Sequence, residues 1–134
     1  MRPGQRRLAF SGSDDHTVRV WELQHGACLK VLLDHESNVH ALGWHHYSCC
    51  LATGAEDGVI NLWDVSTLEQ TQRGGAGAAD VLEELHPAQS LSIEHCEILC
   101  ITPSADGIAL FCGLEDGTIA VLGRPPDSLP AQQR

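Results

Sequence analysis

The sequence predicts an all-β fold: about three short antiparallel units stacked as an array. Three observations predict it. One phrase recurs as SGSDDHTVRVWE at 11–22, TGAEDGVINLWD at 53–64 and CGLEDGTIAVLG at 112–123, with Asp15, Asp57 and Asp116 in the same place each time. The copies begin 42 (11 to 53) and 59 (53 to 112) residues apart, and a period near 40 marks a supersecondary unit that buries its apolar face only against neighbours. Nearly every periodic segment also alternates with period two and is bounded by a turn signal.

The elements follow in order. In the first unit, 8–23, the strands are 8–13 and 17–23, where Val18 and Val20 alternate with Arg19 and Trp21. The middle unit, 27–65, reads as four strands. The first is 27–33, followed by a loop at 34–38. The second, 39–44, turns through His45, His46, Tyr47 and Ser48, and the third and fourth are 50–55 and 59–65. Asp57-Gly58, Asp106-Gly107 and Asp116-Gly117 are hairpin cues, because both residue types tolerate the positive φ of a tight reversal. The third unit, 80–123, is strongest in its last three strands, and 80–85 reads either as its outer strand or as one helical turn. Segment 73–79 is a flexible Gly/Ala insertion. The Pro-rich tail 124–134 is expected to be disordered, since proline donates nothing to a sheet.

Composition bounds the function. The chain has 134 residues, enough for one domain with a sizeable core, and is 43% hydrophobic. Eighteen acidic against eight basic residues give a formal charge of −10, which argues against nucleic acid and favours basic protein segments. The acidity also serves solubility. No apolar run approaches the ~20 residues that span a bilayer, and no apolar stretch follows Arg2, Arg6 and Arg7 as a secretory signal requires. Six cysteines in alternating segments suit a reducing compartment, the cytosol or the nucleus. Trp44, Cys96 and Cys100 are expected to be packing residues.

His35, eighteen residues before Thr53, followed by Asp57 and Trp63-Asp64, resembles the His, Ser/Thr, Asp and Trp-Asp positions of the WD-repeat (WD40) β-propeller family. Ser11, Asp15 and Trp21-Glu22 match the same pattern. The third unit has Cys112 and Leu122 in the Ser/Thr and Trp places, with His95 one residue off the His place. The resemblance covers about 8–123 and implies a partial propeller of about three four-stranded antiparallel blades, the first and third incomplete.

The resemblance gives His35, Thr53, Asp57, Trp63, Ser11, Asp15, Trp21 and Asp116 a structural role, as a hydrogen-bonded chain inside each blade. A Ser/His/Asp set suggests a hydrolase, but this one recurs and lacks a strained Gly-x-Ser-x-Gly elbow, so no catalysis is expected. Asp57→Ala is expected to destabilise the chain. Partners in this family dock on the face of entry loops and tight turns. That face is here Asp14, Asn38, His40, Glu56, Glu97, Leu99 and Glu115, where Asp14, Glu56 and Glu115 would form a negative arc for Arg- or Lys-bearing segments. The alternative is that these carboxylates are solvated turn caps. His45, His46, Cys49 and Cys50 have zinc-ligand chemistry. Adjacent strand residues point to opposite faces, however, so at most two serve together, and neither metal nor cofactor is expected.

Propellers close with about four to eight blades. Three leave two raw edges, and Met1 falls where a blade has already begun. The expectation is a non-catalytic protein-interaction scaffold, a fragment or short isoform of a longer propeller. Several copies closing one ring is the competing possibility. The alternative function is a C-terminal regulatory segment of a larger multidomain enzyme or trafficking protein.

Overall fold

A computed structural model describes residues 6–45, 48–69 and 85–123. The insertion 73–79, the segment 80–84, the tail 124–134, and His46 and Tyr47 lie outside the described residues. Among the described residues ten strands form three antiparallel sheets, and the one helix, α1 (Ser66–Glu69), is a single turn. The first sheet is β1 (Leu8–Gly12), β2 (Val18–Glu22) and β3 (Ala27–Leu32). The second is β4 (Val39–His45), β5 (Cys50–Ala55), β6 (Val59–Asp64) and β7 (Gln89–Ser92). The third is β8 (Ile98–Pro103), β9 (Ala109–Leu114) and β10 (Ile119–Gly123).

Local chemistry sets the hairpins. Asp15, Asp57 and Asp116 each accept the backbone N–H two residues on, from Thr17 (3.0 Å), Val59 (3.2 Å) and Thr118 (2.9 Å). The intervening residue is left-handed in all three, with φ of 74° at His16, 86° at Gly58 and 85° at Gly117. A carboxylate cap followed by a left-handed residue reverses the chain within two residues.

The sheets are offset from the repeat by one strand. Residues 27–33, read as the first strand of the middle unit, instead pair as β3 with β2, Val18 opposite Leu32. The four-residue turn 23–26, with Gly26 at φ 68°, makes that pairing the shortest closure. The fourth strand of the second sheet is β7, which pairs with β6, Ile60 opposite Leu91. The outer strand of the second sheet is therefore 89–92, so this part of the third unit serves the second sheet, while 80–84 lie outside the described residues.

The second sheet is covered on both faces. One apolar cluster joins it to the first sheet through Val18, Val20, Leu32, Val39, Leu51, Trp63, Val65 and Leu68, with the rings of Phe10 and Trp44 5.0 Å apart at its edge. A second cluster joins it to the third through Ala41, Ala52, Ile60, Cys96, Ile98, Ile101, Cys112 and Leu114. Alternation puts Leu51 and Trp63 on one face and Ala52 and Ile60 on the other, which is why β5 is almost wholly buried. Gly54 permits the close stacking, since a Cβ there would lie 2.7 Å from Ile98 Cγ2. Trp44 and Cys96 do pack in these clusters, but Cys100 is exposed. Cys100 lies opposite Gly113, on the face of the third sheet that no other described sheet covers.

Candidate functional site

Inside the second sheet, β6 places Trp63 two residues beyond the Thr53–Asn61 pair, on the same face. The Trp63 indole N–H donates to Thr53 Oγ1 at 2.9 Å, and Thr53 Oγ1 lies 2.6 Å from His35 Nε2. All three residues are buried. Burial pushes the His35 pKa down against the opposing charges of Asp57 and Asp34, so the ring is neutral. His35 Nδ1 has no hydrogen-bond partner. Asp57 instead accepts from Val59 N–H, while its own N–H donates to Ser37 Oγ at 3.1 Å. The chain Trp63–Thr53–His35 is thus formed without its carboxylate end.

The neighbouring sheets hold shorter versions. In the first, Trp21 Nε1–H donates to Ser11 Oγ at 2.9 Å, and Asp15 is engaged by Thr17. In the third, Cys112 is buried with Leu122 packed beside it, and Asp116 accepts the Thr118 hydroxyl at 2.6 Å. Hydrogen bonds from Thr17 and Thr118 hold the Asp15 and Asp116 carboxyls below the usual range.

The second constellation lies at the turn end of the sheets, where the negative arc was expected. His40, near the start of β4, is flanked by carboxylates from both neighbouring sheets. Its Nε2 is 3.2 Å from Asp14 Oδ1 in the β1–β2 turn, and its Nδ1 makes a short hydrogen bond with Glu97 just before β8. Glu97 N–H donates in turn to Glu115 Oε1 at 3.2 Å. Glu56 N–H donates to the Asn38 carbonyl at 2.9 Å, putting those two at the same end. Leu99 is exposed beside them. A carboxylate on each ring nitrogen favours the doubly protonated, charged form of His40. The Glu97 hydrogen bond is the largest cause of its raised pKa, opposed by desolvation and supported by Asp14. The arc is therefore interrupted by an imidazole whose charged form, favoured by these carboxylates, offsets part of it. Sequence reasoning placed His40 on this face and missed its role as a three-sheet clasp.

The clasp has a signed pH dependence. His40 is raised above 6.5 when folded, so its contribution to stability is fully present below pH 6.5 and disappears as pH rises through the higher folded value. Thermal melts should therefore show the wild type losing more stability than His40→Gln across that interval. Parallel curves would remove the clasp.

His45, named from the sequence as a turn residue with zinc-ligand chemistry, lies at the opposite end of β4. His45 Nδ1 accepts from the Ser48 hydroxyl at 2.6 Å, and its Nε2–H donates to the Ala105 carbonyl at 3.2 Å, joining the second sheet to the β8–β9 hairpin. The zinc idea at 45–50 loses a ligand to this hydrogen bonding. Among the described residues, no group of three or more His, Cys, Asp or Glu side chains is arranged to hold a metal.

Comparison with known proteins adds to this geometry. The family described as "WD domain, G-beta repeat" matches residues 3–22 and 26–64, which include both indole–hydroxyl pairs, Trp21–Ser11 within the first stretch and Trp63–Thr53 within the second. The chain is 27% identical over 142 residues to the angio-associated migratory cell protein of Homo sapiens, covering 89% of this chain and 32% of that protein. It is 30% identical over 106 residues to transducin beta-like protein 3 of Bos taurus, covering 76% of this chain and 13% of that one. It is 42% identical over 57 residues to the sterol regulatory element-binding protein cleavage-activating protein of Xenopus laevis, covering 42% of this chain and 4% of that one. The chain thus spans a third or less of the length of these curated relatives. With its indole–hydroxyl pairs, capped turns and stacked antiparallel sheets, the chain belongs to the WD-repeat (WD40) family.

Proposed function

We propose that this chain is a non-catalytic protein-interaction scaffold: an arc of propeller blades whose turn end takes basic segments of partner proteins. The observation that carries the reading is the gathering of Asp14 and Glu97 around His40, with Glu115 on the Glu97 N–H and Glu56 and Asn38 at the same end. These carboxylates come from three sheets held together by one clasp. A guanidinium or ammonium group could replace His40 as their counter-ion without rebuilding the surface. The burial of Thr53 and His35 supports a structural role for them over a hydrolase one.

On this reading Ser11, Thr53, Trp21, Trp63 and His35 are struts, with Asp15, Asp57 and Asp116 fixing the turns. The scaffold needs no cofactor, and its thiol content suits the cytosol or the nucleus. No other described sheet covers the outer faces of the first and third sheets, which supports the reading of the arc as part of a larger ring.

Fluorescence anisotropy with an Arg/Lys-rich peptide and its Asp/Glu counterpart tests the proposal. The basic peptide alone should bind, weakening with salt. Glu56→Lys combined with Glu115→Lys should reduce binding by about tenfold or more, as expected for two lost charge contacts. Equal binding by variant and wild type, at unchanged circular dichroism, would reject the acidic face.

A further inference from the structure

We propose that the outer face of the third sheet is an interface for the first sheet of a second copy of this chain, giving a closed head-to-tail dimer of six sheets. The inference rests on reading the three sheets as an arc, and is independent of what the acidic face binds.

The argument is positional. Each internal contact joins two kinds of face. The first sheet offers Phe10, Val20, Gly12 and Val18 to the Leu51 and Trp63 face of the second. The second sheet offers Ala52, Leu62, Gly54 and Ile60 to the Cys112 and Leu122 face of the third. The register places Phe111, Val121, Gly113 and Ile119 at the same positions in the third sheet: Phe111 opposite Val121 as Ala52 is opposite Leu62, and Gly113 opposite Ile119 as Gly54 is opposite Ile60. Yet Ala52 and Ile60 are buried, while Ile119 is 71%, Val121 61% and Phe111 43% exposed. The third sheet carries the offering face with nothing described on it.

At the other end of the array, no other described sheet covers the receiving face. In the second sheet it is Leu51 opposite Trp63 and Thr53 opposite Asn61. The same positions in the first sheet are Ala9 opposite Trp21 and Ser11 opposite Arg19, with Val31 opposite Arg19 on β3. Val31 is 40% exposed, and Leu33 just beyond it 59%. Among the described residues, one copy therefore holds one unpaired half of each kind. A contact between unlike faces is heterologous, and it avoids open polymerisation only if the ring closes. Twice three sheets is six, within the about four to eight that close a propeller. Burial of these side chains removes apolar area from water, the same driving force as in the two internal clusters. Arg19, in the place of the buried Asn61, and a net charge of −10 per copy oppose association, so the dimer should be reversible and favoured by salt.

Sedimentation equilibrium of the purified chain over a wide concentration range tests this. The expected result is twice the monomer mass, falling to one on dilution and strengthening with added salt. Ile119→Lys and Val31→Glu each spoil one half-face at an exposed position, so each alone should be monomeric with unchanged circular dichroism. Mixed, they retain one intact pair of faces and should recover the doubled mass. A wild type that stays monomeric, variants that still dimerise, a mixture that fails to recover, or masses above two copies would each overturn the proposal. Basic-peptide anisotropy on the monomeric variants reports separately on the acidic face.

Discussion

Trp63→Ala is expected to abolish cooperative folding of this chain. The indole is fully buried between the first and second sheets, where it packs with Leu51, Val18 and Val20. Emptying such a site costs about 3–5 kcal/mol in transfer and cavity terms, against a total of about 5–15 kcal/mol for a typical domain. An arc whose outer faces no other described sheet covers belongs at the low end of that range. Thr53→Val separates polarity from packing, because it keeps the volume but strands the Trp63 N–H and His35 Nε2, each at about 1–3 kcal/mol. Asp57→Ala, expected from the sequence to be destabilising, removes only the exposed cap on Val59 and should cost ~1 kcal/mol or less. Urea unfolding should therefore show no cooperative transition for Trp63→Ala, and a midpoint that falls further for Thr53→Val than for Asp57→Ala. A loss for Asp57→Ala equal to that of Thr53→Val would mean that the carboxylate closes on His35 Nδ1 in solution.

What could be read from the sequence was the chemistry confined to a few neighbouring residues. Asp57-Gly58 and Asp116-Gly117 announce their hairpins because the cap and the left-handed residue are adjacent. Thr53 and Trp63 could be paired because they sit ten residues apart across one such hairpin. Sheet membership was not legible. Strands 27–32 and 89–92 alternate like any others, and whether a strand folds back or crosses over depends on the competing closure lengths, which periodicity does not carry. The clasp was hidden for the same reason. Asp14 and Glu97 lie 26 and 57 residues from His40, and only the stacking of three sheets brings them together. The exposure of Cys100 likewise depends on which sheet lacks a cover, a property of the assembled stack.

Gly58→Ala should be far more damaging than Gly117→Ala, although the two glycines hold the same place in the same turn. Both have a positive φ, 86° and 85°, so alanine meets the same left-handed strain of ~1–2 kcal/mol at either site. Their surroundings differ. At Gly117 an added Cβ finds no heavy atom within 4 Å, whereas at Gly58 it would lie 2.0 Å from the Ile93 carbonyl oxygen and 3.0 Å from that of Cys96. Both obstacles are backbone, and Ile93 N–H also donates to Gly58 O at 2.8 Å, so relief requires the end of β7 to leave the sheet. The pairing of Val59 with Ser92 and Ile60 with Leu91 would go with it, uncovering part of the second apolar cluster. Gly58→Ala should therefore exceed Gly117→Ala by at least ~2 kcal/mol in chemical denaturation, the range reserved for a named steric or core defect. Hydrogen exchange locates the damage: amides of Gln89–Ser92 should lose protection in Gly58→Ala and keep it in Gly117→Ala. Equal losses from the two variants would show that β7 does not dock against this turn, and the second sheet would then have three strands in solution.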